Sequence, residues 1–423
     1  MTFSIKFTRN VFYSLVLSLT WRAAGALIFI AIARFGNIRD AGTFSLALGY
    51  LAILNTVLTG LDDILIRECV RSPSRVPSIL ITFGVIRFAL TLVVWITLSV
   101  ILGALSLYSP NDLTILAVLT SSILMDCFTG LAQAVLIARG NFALPLVAVM
   151  AGTACKFIAA LAAVIEKQGL FTLSVVWLIG SALTAILMVT ALALVLRESK
   201  NWDSLHFERD LAFSFLRLFP SFGFANLLSA LEFQIDIILL SVLLTNEAIA
   251  EYSAMVTIVS VLQMFTQAVR SVFFPVMVRS LNDRSADSRK LIQRSLWLML
   301  GLSLVASTGV FFTAKELVDL IYGVRFASAV PILQILIWNI IFLFLDVPLV
   351  RFLMAGNHQT VVWQTSLVTL TINVTANLLL IPGLGSIGPA YARLLSSGLF
   401  CLLIGWQVFR KLGKRQVQTI RDP

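Results

Sequence analysis

Apolar residues in this 423-residue chain come in long blocks, and short polar joints separate them. Twelve blocks can be marked, at 11–33, 43–66, 78–106, 113–138, 144–165, 171–196, 213–243, 251–276, 292–314, 329–354, 360–381 and 388–409. As helices rising about 1.5 Å per residue, each is long enough to cross a hydrocarbon core of about 30 Å. The joints carry turn chemistry, as in Gly140-Asn141 and Pro382-Gly383-Leu384-Gly385. The first block holds Arg22 at its middle and is longer than a signal-peptide core, so it reads as a span and not as a leader.

The polar positions inside the blocks are more telling than the blocks themselves. Glu232 and Asp236 stand four residues apart within one apolar run and so share a helix face. In the next run Ser260, Gln263, Gln267 and Arg270 recur at steps of three and four, which draws a polar stripe along the helix. A charge at the bilayer centre costs roughly 2.5 to 3.5 kcal/mol, so these groups are expected to face the bundle interior or a water-filled path. Asn55, Thr59 and Asp62 precede Gln263, Gln267 and Arg270 by one constant offset, and the same offset carries Phe44-Ser45 onto Tyr252-Ser253. A second echo runs from Ile115–Leu119 with Ala138-Arg139-Gly140-Asn141 to Ile332–Leu336 with Met354-Ala355-Gly356-Asn357. The chain therefore reads as an internal repeat of six spans. An even number of spans returns each half to the same side, so the repeats are parallel, as in transporters whose substrate path lies between two halves.

Composition agrees with the pattern. The chain is 59% hydrophobic and only 12% charged, against about 25% charged in a typical soluble domain. The net charge of +10 would suit a nucleic-acid binder, but Lys and Arg gather at the flanks of the runs: the N-tail, 67–77, 139–143, 197–212, 277–291 and the tail after 409. That asymmetry puts both termini in the cytoplasm and excludes nucleic acid as the partner. The boundaries expected are an N-terminal six-helix lobe at 1–196, a cytoplasmic linker at 197–212, a C-terminal lobe at 213–409 and a basic tail at 410–423. Four scattered cysteines and two solitary histidines offer no metal-site spacing, and no cofactor is indicated.

Several strings in order carry a family resemblance. Ala33-Arg34-Phe35-Gly36, Ala41-Gly42-Thr43-Phe44-Ser45, Gly60-Leu61-Asp62 and Arg67-Glu68 resemble the first hairpin of the polysaccharide exporters and O-antigen (Wzx-type) flippases of the multidrug/oligosaccharidyl-lipid/polysaccharide (MOP) superfamily. Phe219-Pro220, Asp236, Tyr252-Ser253-Ala254, Pro275, Tyr322-Gly323, Phe326–Ala329, Leu380-Ile381-Pro382 and Gly385–Gly388 continue the match over nearly the whole chain. The resemblance implies an all-α integral membrane protein of twelve helices in two lobes around a central cavity. It also implies alternating-access transport of a polyprenyl-diphosphate-linked oligosaccharide across the plasma membrane for polysaccharide or O-antigen biosynthesis, alongside other polysaccharide-assembly proteins. In such relatives the first, second, seventh and eighth helices line the cavity, which would put Arg22, Asp62, Glu232, Asp236 and Arg270 there; Asn55, Thr59, Gln263 and Gln267, on the same stripes as Asp62 and Arg270, are expected to line it with them.

On their own chemistry, Arg270 with Gln263 and Gln267 offers a cation for a diphosphate and amides for a sugar. The competing reading has Arg270 neutralise Asp62 or an acid on the seventh span, with Arg22 paired to Glu232. Glu232 and Asp236 are candidates for proton or Na⁺ coupling, against a permanently ionised structural pair. Arg351 and Arg393 lie toward span ends, where snorkelling to the interface would suffice. The outer loops, the longest being Lys315–Ser328, leave no room for a catalytic domain, which argues against a glycan polymerase or glycosyltransferase. A drug/cation exporter or a lipid II flippase of the same superfamily are the nearer alternatives.

Overall fold

The computed structural model describes residues 2–104, 106–197, 206–282, 288–356 and 358–421. Within these, the side chains of 2–8, 10, 11, 14, 15, 18, 22, 60, 63, 74, 218, 220–222, 224, 225, 265, 267–282, 288, 289 and 413–421 are not described. The expectations for Arg22, Gln267 and Arg270 therefore lie outside the described side chains.

Each of the twelve predicted blocks falls on helix. The chain runs α1 (Thr2–Phe35), α2 (Ile38–Arg71), α3 (Val76–Ala104), α4 (Pro110–Thr120), α5 (Ile123–Ala138), α6 (Ala143–Ile165) and α7 (Gly169–Arg197). It continues with α8 (Arg209–Leu243), α9 (Asn246–Asn282), α10 (Ser288–Phe312), α11 (Ala314–Ile321), α12 (Val330–Leu336), α13 (Asn339–Ala355), α14 (Gln359–Leu384) and α15 (Gly388–Arg421). Among the described residues, nine runs are long and apolar enough to cross a membrane, and the last of them, Gln359–Leu412, covers both α14 and α15. Large apolar side chains such as Val305, Leu402, Ile158 and Val147 stand exposed on these helices. Such a surface suits lipid and not water. The protein is a multi-span membrane protein, and helices are one of the two structures that can satisfy every backbone group in that solvent.

Two spans are broken, at matching places. The fourth is interrupted at Ser121-Ser122, between α4 and α5, and the tenth at Ile337-Trp338, between α12 and α13. Each break frees backbone groups that side chains then help to satisfy. The Ser307 hydroxyl donates to the Ile337 carbonyl at 3.0 Å, and at the first break the Ser121 hydroxyl donates to the Val118 carbonyl at 2.7 Å, while Ser122 Oγ accepts the indole N–H of Trp177 at 3.2 Å. The α1–α2 joint, at Gly36-Asn37, and the α8–α9 joint, at Leu244-Thr245, are related by the same offset as the polar stripes. The repeat read from the sequence is thus also a repeat of helix ends and helix breaks.

Local signals explain the ends. Asn37 caps α2 by accepting the Arg39 N–H, and Ser109 caps α4 by accepting that of Asp112, with Pro110 at the first helical position. Gly140 and Gly385 turn the chain at φ of 74° and 61°, in the left-handed region that favours glycine.

The chain divides into two compact units, Met1–Gln234 and Ile235–Pro423, and the division falls inside α8. In unit 1, α6 packs on α1 and α7, and α5 on α2, α3 and α7, around Ile28, Phe44, Leu65, Leu119, Val135 and Met188. The start of α8 is held there too. Phe215 meets Phe83 of α3 edge to face at 4.7 Å, and the Glu208 N–H donates to Thr82 Oγ1 at 2.9 Å while its carboxylate pairs with Arg75. In unit 2, α13 packs on α9, α10 and α15, and Ile292, Leu353, Ile404 and Val408 are fully buried in one shared cluster.

Candidate functional site

Unit 1 holds a chain of charged and amide groups across α2, α3, α5, α6 and α7. It begins at the predicted stripe: on α2, Asn55 and Asp62 are half-buried and Thr59 is exposed. The partner of Asp62 is Arg87 of α3, whose Nη1 bonds Oδ1 and whose Nη2 lies 3.5 Å from Oδ2. The Arg87 side chain is 5% exposed and that of Asp62 23%, so the cation sits behind the acid and only the acid is open. Glycine makes room for it: a Cβ at Gly130 of α5 would come within 2.5 Å of Arg87 Nη2.

The next links are amide and ammonium. Asn55 Nδ2 donates to Asp126 Oδ2 of α5 at 3.2 Å. Lys156 of α6 is buried, donates to Ser181 Oγ of α7 at 2.8 Å, and lies 4.2 Å from the centroid of the Trp177 ring. A hydroxyl and an aromatic face thus hold an ammonium that, among the described residues, no carboxylate touches directly. Asp126 and Lys156 still feel each other electrostatically. Two acids and two bases are therefore set among the membrane helices of unit 1, where charge must face an interior or a water path.

Unit 2 carries the second cluster. Asp236 of α8 is fully buried, and three donors converge on it. Its Oδ2 accepts the Tyr252 hydroxyl of α9 at 2.6 Å and the Arg393 Nε of α15 at 2.8 Å, and its Oδ1 accepts Asn377 Nδ2 of α14 at 2.9 Å. Asn377 also donates to Asn373, whose own amide donates to Ser396 Oγ at 3.2 Å. Arg393 does not snorkel as its place near a span end suggested. Its side chain is 10% exposed, because Asp236 draws the guanidinium inward. Glu232, one turn before Asp236 on α8, is half-buried, and Gln263 of α9 likewise.

The joints before α2 and α9 repeat one contact in different residues. Thr43 at the start of α2 donates to Asp112, while Glu251 at the start of α9 accepts from Ser328 at 2.7 Å. Thr43 and Glu251 are repeat counterparts, and Asp112 and Ser328 stand equally far before the helix breaks at Ser121 and Ile337. Glu251 also accepts from Ser386 at 3.0 Å.

Of the predicted residues, then, Asn55 and Asp62 fall in the unit 1 cluster and Asp236 at the centre of the unit 2 cluster. The sequence reading did not pair Arg87 with Asp62 or place Lys156 beside Ser181 and Trp177, and its pairing of Arg270 lies outside the described side chains. The available signal was simply a basic residue deep in an apolar run.

A polytopic bundle of long apolar helices, two of its spans broken and charge buried in each compact unit, is the kind of architecture membrane transporters use. The comparisons are specific about its kind. Residues 75–422 match the family model described as lipid II flippase MurJ, and the chain belongs to that family, within the MOP superfamily. Over 162 residues it is 25% identical to the probable low-salt glycan biosynthesis flippase Agl15 of Haloferax volcanii, an alignment spanning 38% of this chain and 34% of that relative. Among solved structures, the inward closed lipid II flippase MurJ superposes with a TM-score of 0.73 at 14% identity, over 94% of this chain and 87% of the other. An inward-facing MATE transporter of the MOP superfamily gives 0.72 at 14% identity, over 95% and 99%. At that identity the structures speak for the fold alone.

Proposed function

We propose that this protein translocates a polyprenyl-diphosphate-linked saccharide across the plasma membrane by alternating access, with both termini in the cytoplasm. Family membership supports the flippase class, and the stripe on α2 carries the reading on the chain's own residues. Asn55, Thr59 and Asp62 stay partly open on a membrane helix, with Arg87 holding Asp62 and Asp126 holding Asn55. Open amide and hydroxyl groups on such a helix suit a sugar, and arginines suit a diphosphate. Arg22, Gln263, Gln267 and Arg270 are proposed for the rest of the path, with Arg22 and Arg270 as the phosphate cations. Proton or Na⁺ coupling is proposed for transport as a whole and is taken up separately for Asp236 below.

Two substrates fit this chemistry. Lipid II is the one named by the family, and a longer lipid-linked oligosaccharide the one suggested by the glycan-biosynthesis relative. Proteoliposomes loaded with each, labelled on the sugar and probed from outside with a membrane-impermeant quencher, separate them. Protein-dependent exposure of one or both supports the proposal, and the faster names the substrate. Movement of neither, from vesicles in which the protein is folded, would overturn it, and efflux of lipophilic cations instead would favour a drug exporter.

A further inference from the structure

Asp236 is a carboxylate in a membrane bundle with no exposed surface, and what surrounds it is a set of donors. The Tyr252 hydroxyl, the Asn377 amide nitrogen and Arg393 Nε all point hydrogen at it. A free cation at the same carboxylate would require the reverse, with oxygens turned inward. Those oxygens are close by but otherwise engaged or idle: Asn373 Oδ1 accepts from Asn377, Ser396 Oγ donates to the Arg393 carbonyl, and Asn377 Oδ1 is buried with no hydrogen-bond partner.

The fold does not demand charge here. At the repeat offset that carries Phe44 onto Tyr252, the unit 1 counterpart of Asp236 is Ile28, and both Ile28 and Phe44 are buried in hydrocarbon. Asp236 is therefore a local choice of unit 2, and Arg393 answers it. A guanidinium stays charged at any accessible pH and is fixed to α15, so it neither leaves nor gives up a proton.

We propose that Arg393 is a tethered counter-cation: it fills permanently the place that an exchangeable cation would take beside Asp236, and so removes Asp236 from ion coupling. The pair instead joins α8, α9, α14 and α15 of unit 2 through one buried network. Any gradient dependence of transport enters at another group. Without the guanidinium, the Asp236 carboxylate keeps the oxygens of Tyr252, Asn377 and Asn373 in its hydrogen-bond network, a latent site for Na⁺.

The test needs no substrate, so its failure is distinct from failure of the proposed transport. Purified protein is melted at constant ionic strength with Na⁺ replaced stepwise by choline. A ligand that binds only the folded state raises the melting temperature with its concentration. The wild type is expected to melt at one temperature throughout, and Arg393→Lys, which keeps a tethered cation, likewise. Arg393→Gln is expected to melt lower in choline and to recover by several degrees, saturably, as Na⁺ is added. Asp236→Asn/Arg393→Gln removes the carboxylate and is expected to lose that response. A merely structural arginine would be missed equally in both salts. A saturable Na⁺ shift in the wild type that Asp236→Asn abolishes would overturn the proposal. An Arg393→Gln protein no more Na⁺-responsive than the double variant would overturn it too. Should Arg393→Gln fail to fold, ²²Na⁺ binding to the wild type and to Arg393→Lys decides: none supports the tethered cation, and binding lost in Asp236→Asn refutes it.

Discussion

A methyl group at Gly180 should cost this protein a measurable part of its stability, and the structure says how much. Gly180 of α7 faces Lys156 of α6, and a Cβ there would lie 2.7 Å from Lys156 Cβ, 2.8 Å from Cγ and 3.0 Å from Cε. Carbon atoms at rest prefer about 3.5 to 4.0 Å. The Lys156 Cβ is fixed to its backbone, so no rotamer change relieves the first contact. To restore that spacing the helices must part by about 1 Å at this level. Overpacking of that kind costs about 1 to 3 kcal/mol. The same displacement stretches the 2.8 Å bond from Lys156 Nζ to Ser181 Oγ, which neighbours Gly180. A hydrogen bond to a charged group is worth about 1.5 to 3 kcal/mol. The expected loss for Gly180→Ala is then about 2.5 to 6 kcal/mol, a large share of the roughly 5 to 15 kcal/mol that keeps a typical domain folded.

The assay is thermal unfolding in detergent, followed by size-exclusion recovery of a fluorescent fusion. Gly301→Ala is the matched control: it is also a helix-interior glycine, but its Cβ would meet nothing within 4 Å. There the helix propensity of alanine should leave stability equal or raise it, by up to about 1 kcal/mol. Opposite signs at the two glycines support the reasoning. A Gly180→Ala protein that melts with the wild type would refute both the close approach of α6 to α7 and the anchoring of the Lys156 ammonium.

Glu251→Ala removes the acceptor shared by Ser328 and Ser386, and faster amide hydrogen exchange is expected at 324–329 and 385–387, with the membrane helices unchanged. Trp177→Phe keeps a ring near Lys156 but loses the N–H given to Ser122, so a loss of about 1 kcal/mol is expected, while Trp177→Leu loses the aromatic face as well and should melt clearly lower. Reporters fused after Lys200 and Asp287 are expected to read cytoplasm, and those after Asn111, Asn246 and Ser386 the outer face; a cytoplasmic signal at Asn246 would sink the inferred topology.

The helices were legible because the bilayer leaves the chain little choice. Every spanning residue must be apolar or internally satisfied, so twelve runs announce themselves without any finer pattern. The two broken spans were not legible. Ser121-Ser122 and Ile337-Trp338 contain neither Pro nor Gly, and the distant side chains that meet them, Trp177 on the Ser122 hydroxyl and Ser307 on the Ile337 carbonyl, cannot be read from local sequence. The stripe on α2 was legible since Asn55, Thr59 and Asp62 keep helical spacing. Their supports were not, because Arg87 is a lone charge in its own run and periodicity says nothing of which helix it meets. Arg393 shows the same limit: proximity to a span end suggested the interface, and only the Asp236 carboxylate, far away in the sequence on α8, explains why it turns inward.

The two units reveal what a duplicated framework leaves free. Helix joints and breaks recur at fixed offsets, and so does the hydrogen bond at the starts of α2 and α9, although its donor and acceptor have changed elements between Thr43–Asp112 and Ser328–Glu251. The buried positions have diverged further. Ile28 and Phe44 fill their places by volume, a non-directional interaction that tolerates small shifts of neighbouring helices. Asp236 and Tyr252 fill theirs by direction, since each donor must stay within bonding distance or leave a buried charge unmatched. The polar groups of unit 1 stand instead where Asp62 and Asn55 remain partly open. Charge in unit 2 thus ties four helices into one buried network, while in unit 1 the buried Arg87 guanidinium backs an acid that stays partly exposed.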